Sequence, residues 1–417
     1  MYESMDSRPP FAAFANHQPE KEFAHLPSPC YVIDEGQLHQ NGKILALVAR
    51  KTGCKILLAQ KAFSNYDFYP LLEQYLAGTE ASGLFEAKLG KEKMPEKEVH
   101  VFCSAYRKEE FDELLTVADH IVFNSPGQLK KFGFKAKQAG KSLGLRINPE
   151  CSTQKEHEIY DPCAPGSRLG TTLEVWNKEM TEELINLLDG LHFHTLCEQD
   201  SDALEVTLDT VEEKFGFLLP RMKWLNMGGG HHITRPGYDL ERLERCIKRV
   251  QQTWKLQVYL EPGEACALNA GFFITRVLDI VENGNRRIAI LDASAACHMP
   301  DVIEMPYTPP LYRAEALEKP DNVDYSDAKK DKSFAYRLAG PTCLAGDVIG
   351  DYSFTYKLKE GDMLIFGDMA IYTTCKNNTF NGMPLPNIWK RCLDGSLIQL
   401  THFGYEDFKM RLGSVQL

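Results

Sequence analysis

The sequence predicts a (β/α)8 barrel, also called a TIM barrel, followed by a second domain that is rich in β-structure. Over residues 53–263, short apolar runs alternate with longer amphipathic stretches, which is the pattern of repeated strand–helix units. After residue 271 the composition changes, and runs of β-branched and aromatic residues are separated by Gly and Pro. We therefore expect two domains in this chain of 417 residues.

The barrel prediction depends on the number of strand candidates and on their spacing. Eight of them within roughly 210 residues agree with a closed barrel, for which about 250 residues are typical. The stretches between them carry apolar residues at helical spacing, as in residues 68–76, 108–118, 174–188 and 240–252. The strand candidates are residues 56–59, 78–82, 99–104, 121–124, 143–147, 191–194, 224–227 and 258–260.

The predicted domain boundaries follow from the local composition. Residues 46–270 form the barrel and residues 271–417 the C-terminal β domain, while the lone strand candidate in residues 27–45 joins and completes that second sheet. Residues 1–26 mix charges with prolines and predict a disordered tail. Residues 315–332 are charged and predict an exposed insertion. Strand candidates of the β domain are residues 272–281, 287–291, 334–338, 347–354 and 363–372.

Charge and composition exclude several classes of function. The net charge of −11 argues against nucleic-acid binding, because phosphates need a basic footprint. No apolar stretch approaches the roughly 18 to 20 residues that span a membrane, and the N-terminus lacks the apolar segment of a signal peptide. The 12 cysteines are scattered without a Cys-x-x-Cys pair, so we expect reduced thiols, a cytoplasmic location and no metal site.

Chemically active residues follow four of the barrel strand candidates, at the ends where barrel enzymes carry their sites. They are Lys61, His194, the triplet Gly228-Gly229-Gly230 and Glu261. An amine, an aromatic base, a glycine loop and a carboxylate are the groups that hold pyridoxal 5′-phosphate (PLP). The lysine would bond to the aldehyde, the imidazole would stack on the ring, backbone N–H groups would bind the phosphate, and the carboxylate would meet the pyridine nitrogen.

Each of these residues also has a simpler interpretation. Lys61 fits a solvated strand end, the glycine triplet a plain turn, His194 a core histidine and Glu261 an exposed turn residue. Cys343, in a loop bounded by Gly and Pro, is either an inert thiol or a presented reactive group. The occurrence of all four groups in this order favours the PLP site.

From about residue 27 to the C-terminus the chain resembles the fold-type III PLP-dependent decarboxylases, the alanine racemase-like barrels with a C-terminal β domain. Within this family it is most similar to the carboxynorspermidine (carboxyspermidine) decarboxylase subgroup. The segments that carry the resemblance are residues 57–64, 226–232, 261–265, 291–294, 299–304 and 340–343.

The resemblance implies a role for residues of both domains. Lys61, His194, Gly228–Gly230 and Glu261 are expected to bind PLP, and Tyr372 matches a tyrosine that helps to bind its phosphate.

Family members of this kind are dimers with shared active sites, so a homodimer is expected. Cys343 and Asp347 match loop residues that reach the partner subunit's site, where Cys343 would protonate the carbanion. Substrate amines need acceptors, for which we expect Glu264 and Asp301, with Asp347 also near the substrate.

Two positions depart from the ornithine- and diaminopimelate-type pattern. Those enzymes have Arg directly after Glu-Pro-Gly, where this chain has Glu264, so a phosphate contact is lost and a carboxylate gained. The usual His-Val-Gly-Ser around the stacking histidine is here His194-Thr195-Leu196-Cys197, so the phosphate surroundings differ. Both departures agree with the carboxynorspermidine subgroup.

The predicted function is therefore PLP-dependent decarboxylation of carboxynorspermidine or carboxyspermidine to norspermidine or spermidine in polyamine biosynthesis. Three alternatives stay open. The nearest is a decarboxylase of the same fold acting on ornithine, arginine or diaminopimelate. An amino-acid racemase is disfavoured by Glu261, because racemases of this fold tend to place a cation at the pyridine nitrogen. A non-catalytic regulator is disfavoured by the presence of Lys61 and Cys343.

Overall fold

The computed structural model describes residues 18–154, 161–317 and 334–413. The chain divides into two compact units. One is continuous, from His39 to Cys266, and the other combines the segment up to Leu38 with the chain from Ala267 onward. Among the described residues, none of the helices is long and apolar enough to cross a membrane.

Strands and helices are numbered here in chain order. The strands are β1 (Cys30–Asp34), β2 (Lys55–Ala59), β3 (Gly78–Ala81), β4 (Glu98–Phe102), β5 (His120–Phe123), β6 (Ser142–Arg146), β7 (Gly190–His192), β8 (Trp224–Asn226), β9 (Gln257–Leu260), β10 (Gly271–Asn283), β11 (Arg286–Leu291), β12 (Ala314–Ala316), β13 (Phe334–Ala339), β14 (Val348–Phe354), β15 (Met363–Gly367), β16 (Asn387–Arg391) and β17 (Leu397–Gln399). The helices are α1 (Pro19–Glu22), α2 (Glu35–Thr52), α3 (Tyr69–Leu72), α4 (Leu84–Lys93), α5 (Phe111–Val117), α6 (Pro126–Gln138), α7 (Leu173–Glu179), α8 (Glu182–Ile185), α9 (Ser201–Phe215), α10 (Leu240–Trp254), α11 (Glu264–Ala267), α12 (Ala295–His298), α13 (Asp301–Glu304) and α14 (Tyr405–Met410).

Strands β2 to β9 form a closed parallel barrel of eight strands within the described residues of the continuous unit. Each strand pairs with the next along the chain, and β2 closes the ring on β9 through the pair Ile56 and Leu260. The predicted (β/α)8 fold is confirmed, and all eight strand candidates are barrel strands. The outer helices bury one apolar stripe each, as α10 does with Leu243, Ile247 and Val250.

Large side chains fill the barrel interior because small residues on neighbouring strands make room for them. The indole of Trp224 lies against Gly190, where a β-carbon would come within 2.0 Å of the ring. Trp224 packs in one cluster with Leu57, Val122 and Tyr259. The interior is therefore a packed core, as is usual for a barrel of this size.

The stretch 174–188, where apolar residues recur at helical spacing, forms two helices. Helix α7 ends before Met180, whose backbone is extended, and α8 begins after Thr181. The hydroxyl of Thr181 accepts a hydrogen bond from the backbone N–H of Leu184, so it caps a new helix.

The second unit is built on a mixed sheet of nine strands among the described residues. Its order is β12-β14-β13-β11-β10-β1-β16-β17, with β15 also paired to β10. Strand β1 is antiparallel to β10, with Val32 opposite Phe272, and parallel to β16. The prediction that the N-terminal strand completes the β domain is confirmed. Strands β12, β16 and β17 were not predicted.

The segment just before β1 differs from the predicted disorder. Residues 19–22 form α1, and Phe23 and Leu26 are buried against Val32, Phe272 and Ile274. The prediction is therefore wrong for residues 18–26, because the sheet supplies an apolar surface that the local composition does not reveal. Residues 1–17, and residues 318–332 of the predicted insertion, lie outside the described residues.

Candidate functional site

Three of the residues predicted to bind PLP lie around one cavity at the C-terminal ends of the barrel strands. Lys61 lies two residues beyond β2, His194 two residues beyond β7, and Glu261 directly beyond β9. The cavity has a volume of about 240 Å³. Its lining consists of Lys61, Glu80, Ser82, Phe102, Cys103, Ser104, Arg146, Arg168, Leu169, His192, His194 and Glu261.

Glu261 is a fixed carboxylate in this cavity, only 3% exposed. One oxygen accepts a hydrogen bond from Nε2 of His192 at 3.0 Å, and the other accepts one from Nδ2 of Asn226 at 2.5 Å. Burial acts to raise the pKa of Glu261, but the interaction with His192 outweighs it and the pKa is lowered. The side chain is therefore an ionised carboxylate at neutral pH.

Glu80 is a second carboxyl group in the cavity. Burial, together with the negative charge of Glu261, raises the pKa of Glu80 well above its usual value. The cavity thus holds two carboxyl groups whose pKa values are shifted in opposite directions. A pair of carboxyl groups whose pKa values are pushed apart is typical of sites that handle protons.

Arg146, at the end of β6, is hydrogen-bonded to the backbone of His194. Its guanidinium donates to the carbonyl of His194 at 3.0 Å and lies 4.6 Å from the ring centre of Phe102. Burial lowers the pKa of Arg146 to about 10, so the group stays charged at neutral pH.

The imidazole of His194 is neutral. Burial lowers its pKa well below the usual value, and the charges of Lys61 and Arg146 act in the same direction. Its Nδ1 accepts a hydrogen bond from the backbone N–H of Gly229 at 3.2 Å. A neutral imidazole that is held by a hydrogen bond suits the predicted role of stacking on the cofactor ring better than an exposed histidine would.

The glycine triplet after β8 has a backbone that other residues rarely adopt. The φ angles of Gly228 and Gly230 are 67° and 80°, in the left-handed region that favours glycine. The N–H of Gly228 donates to Asn226 at 2.9 Å, while that of Gly229 donates to His194. Within the described residues, the N–H groups of Gly230 and His231 have no acceptor. The N–H groups of Gly228 and Gly229 are thus bonded within the protein, and phosphate binding by Gly228–Gly230 stays a prediction.

Glu264, predicted to face the substrate, is bonded to the end of the glycine loop. Its carboxylate accepts a hydrogen bond from Nε2 of His232 at 2.8 Å. Both side chains are largely buried. No sequence pattern indicates this pair, because the two residues lie 32 positions apart.

Groups of His and Glu side chains that could approach a metal ion are already bonded to protein partners. Ligand atoms lie within 4.8 Å of one another in three such groups among the described residues. In two of them one carboxylate is bonded to a histidine of the same group, as Glu261 is to His192 and Glu264 is to His232. In the third, Glu98 pairs with Lys55 and with His100. We assign none of these groups to a metal.

Cys343 and Asp347 lie together in the second unit but differ in exposure. Cys343 is exposed, and its N–H donates to Oδ1 of Asn381 at 3.2 Å. Asp347 is 2% exposed, and its carboxylate accepts hydrogen bonds from the hydroxyls of Ser294 (2.9 Å) and Thr342 (2.6 Å). The carboxylate of Asp347 is thus bonded to Ser294 and Thr342, and its place near the substrate stays a prediction.

Asp301 and Tyr372 also belong to the second unit. Asp301 forms an ion pair with Lys376, which also pairs with Glu304. Tyr372 has a φ of 50°, a strained backbone for an aromatic residue. The ammonium of Lys376 lies 5.9 Å from the Tyr372 ring centre.

Sequence reasoning missed several residues that shape the site. They are polar residues inside or at the end of apolar barrel strands: Glu80, Arg146, His192 and Asn226. The sequence did contain an indication of these residues, because a charged or amide side chain is rare in a strand that is buried on both faces.

The comparisons with known proteins agree with this architecture. The family model described as "Pyridoxal-dependent decarboxylase, C-terminal sheet domain" matches residues 30–370. The carboxynorspermidine/carboxyspermidine decarboxylase of Campylobacter jejuni subsp. jejuni is 44% identical over 93% of this chain and 99% of the relative. The carboxyaminopropylagmatine decarboxylase of Synechocystis sp. is 40% identical over 93% of this chain and 96% of the relative.

Solved structures of decarboxylases are also similar to this chain. The crystal structure of carboxynorspermidine decarboxylase from Campylobacter jejuni, complexed with norspermidine, has a TM-score of 0.83 and 43% identity, covering 93% of this chain and all of the other. Diaminopimelate decarboxylase from Helicobacter pylori, with a TM-score of 0.77, 17% identity and 94% and 98% coverage, shares the fold. The chain therefore belongs to the pyridoxal-dependent decarboxylase family and is an enzyme of the carboxynorspermidine/carboxyspermidine decarboxylase group.

Proposed function

We propose that the protein binds PLP in the barrel cavity and decarboxylates carboxynorspermidine and carboxyspermidine, giving norspermidine and spermidine. The observation that carries the proposal is the meeting of Lys61, His194 and the ionised Glu261 around one cavity. The relative from Campylobacter jejuni, which is 44% identical over nearly its whole length, supports the choice of substrate.

The residues of the cavity fit PLP group by group. Lys61 supplies an amine for the aldehyde, and Glu261 an anion for the ring nitrogen. The unbonded N–H groups of Gly230 and His231 supply donors for the phosphate. We further propose that Tyr372 contributes a phosphate contact.

When bound, PLP supplies an electron sink for the electron pair left by departing CO₂. Glu261 keeps its negative charge because His192 and Asn226 each donate a hydrogen bond to it. That charge favours the protonated ring nitrogen, which strengthens the sink. The neutral imidazole of His194 would lie beside the cofactor ring, and Lys61 would hold the cofactor before substrate binds.

We also propose a homodimer with shared active sites, in which Cys343 of one subunit delivers a proton at the barrel site of the other. The exposure of Cys343 supports this role, as does the exposure of its apolar neighbours Leu344 (44%) and Phe380 (47%). Asp347 is then a positioning residue, since its bonds to Ser294 and Thr342 fix the loop that carries the thiol.

The substrate amines require acceptors once they leave water, and Asp301 remains our candidate for one of them. Its present partner Lys376 would have to share the carboxylate. A second candidate substrate is carboxyaminopropylagmatine, which the Synechocystis relative at 40% identity is named for. That molecule differs by ending in a guanidinium group instead of an amine.

We place this activity in the cytoplasm. None of the twelve cysteines, all of which lie within the described residues, forms a disulfide, and five of them, including Cys30 and Cys266, are buried with a pKa raised by burial to about 11 or 12. Thiols of this kind are stable in a reducing compartment.

Borohydride reduction of the purified holoenzyme, followed by peptide mass spectrometry, tests the cofactor site. The cofactor should become fixed on Lys61, and Lys61→Ala should lose both the cofactor absorbance and CO₂ release. Labelling of a different lysine, or an active Lys61→Ala variant, would overturn the assignment.

A further inference from the structure

His232 has one ring nitrogen that is bonded and one that is not. Its Nε2 hydrogen-bonds the Glu264 carboxylate at 2.8 Å. Its Nδ1 is buried and has no hydrogen-bond partner among the described residues. A buried polar atom without a partner is uncommon in native proteins and points to a ligand that supplies one.

The charges that face His232 favour the imidazolium form. Burial acts to lower the pKa of His232, but the hydrogen bond to Glu264 and the negative charges of Glu264 and Glu198 outweigh it, and the pKa is raised. Arg235 opposes this effect and is itself 3.6 Å from Asp200. In the imidazolium both ring nitrogens donate, so the unpartnered Nδ1 carries a proton that needs an acceptor.

The unpartnered donors are consecutive along the chain. The N–H groups of Gly230 and His231 lack acceptors, and the Nδ1 of His232 follows them. The N–H of His232 itself donates to the carbonyl of Gln199, which ties the loop to the segment after β7. Free N–H groups on consecutive residues can bind an anion together.

Without the imidazolium this site would repel an anion. The carboxylates of Glu198 and Glu264 both act on His232, and they would otherwise leave the end of the glycine loop negative. A phosphate carries a charge of about −1.5 to −2 at neutral pH, so it needs a local positive charge to remain bound.

We propose that the Nδ1 of His232, whose ring is oriented by its hydrogen bond to Glu264, binds the phosphate of the cofactor together with the N–H groups of Gly230 and His231. The inference rests on the proposed function, because it takes PLP as the cofactor. Glu264 then acts through His232 as a positioning residue, in place of the direct substrate contact that its sequence position suggested.

The test compares the dissociation constants of PLP and pyridoxal, which lacks the phosphate, on the cofactor-stripped full-length chain. In His232→Gln, PLP should bind about tenfold to hundredfold more weakly while pyridoxal binding changes little, because a charge-assisted contact to phosphate is lost. Glu264→Gln should shift the same ratio in the same direction by less. Damage to the fold alone would weaken both ligands and leave the ratio unchanged.

His402→Gln is the control. His402 is exposed and belongs to the other compact unit, so this substitution leaves the glycine loop unchanged. The ratio of the two dissociation constants should therefore stay near the wild-type value.

An unchanged ratio in His232→Gln would overturn the inference. So would a Glu264→Gln variant that raises KM for carboxynorspermidine and leaves the ratio intact, since Glu264 would then contact the substrate. If the wild-type chain bound neither PLP nor pyridoxal saturably, the proposed function would fail, and this inference with it.

Discussion

The Nε2 of His192 donates a hydrogen bond to the carboxylate of Glu261 at 3.0 Å, with both side chains buried at the end of the barrel. Burial lowers the pKa of His192, whereas the pKa of Glu261 is lowered because its interactions with His192 outweigh burial. The pair is thus a neutral donor and an anionic acceptor. This fixes the negative charge that a pyridine ring in the cavity would meet.

Removing the negative charge of Glu261 should slow decarboxylation while PLP stays bound. In Glu261→Gln, kcat should fall by about 100- to 1000-fold, since a buried charge that acts on the developing electron density is removed. Cofactor absorbance should persist, because Lys61 and the glycine loop are unchanged. An unaltered kcat in a variant that retains its cofactor would contradict the role of Glu261.

Cys343→Ala should bind PLP normally and form product slowly, because the proton donor is missing. Mixing it with Lys61→Ala should restore part of the activity, since one site of each mixed dimer would hold both residues. Cys392→Ala, at a partly buried cysteine of the same unit, is the control and should behave as wild type. No recovery after verified subunit exchange would count against a shared site.

Asp301→Asn should weaken the binding of carboxynorspermidine by about 1 to 3 kcal/mol. The loss should appear as a higher KM, with PLP occupancy unchanged. Glu304→Gln is the matched control, because Glu304 shares the partner Lys376 but has an exposed side chain. If both variants raise KM equally, the effect comes from releasing Lys376, and Asp301 is not a substrate contact.

A structural ion pair inside the barrel gives a pH-dependent prediction. Burial acts to raise the pKa of Glu98, but its hydrogen bonds to His100 and Lys55 outweigh it and lower the pKa from 4.5 to about 2. A depressed carboxylate pKa stabilises the fold above pH 4.5, and this contribution disappears as the pH falls towards 2. Urea denaturation of Glu98→Gln should therefore show a deficit at pH 7 that shrinks between pH 4.5 and 2. A deficit that is constant with pH would contradict the ion pair.

The sequence predicted the barrel well because parallel strands that are buried on both faces are continuous apolar runs. Lys61, His194 and Glu261 could be found because a strand-end position has a fixed meaning in such a barrel. His192 and Asn226 could not be paired with Glu261 in advance. Their meeting depends on the register of β7, β8 and β9, which places His192 opposite Asn226.

Other differences have the same origin in contacts between distant segments. Phe23 and Leu26 lie in a polar, proline-containing segment, and only the sheet around Phe272 gives them an apolar partner. The carboxylates of Asp347 and Glu264, both predicted substrate contacts, are bonded to Ser294 and His232, which lie far from them in the sequence. The type of a residue predicts which chemistry its side chain can perform. The fold determines which other group that side chain contacts.

The central claim is tested most directly by kcat/KM, measured as CO₂ release by the full-length holoenzyme on a panel of substrates. The panel contains carboxynorspermidine, carboxyspermidine, carboxyaminopropylagmatine, ornithine, arginine and diaminopimelate. We predict that the first two substrates exceed every other by at least about tenfold, a difference of roughly 1.4 kcal/mol in transition-state stabilisation. A higher kcat/KM for any of the other four would contradict the proposed substrate, and no CO₂ from any of the six would contradict decarboxylation itself.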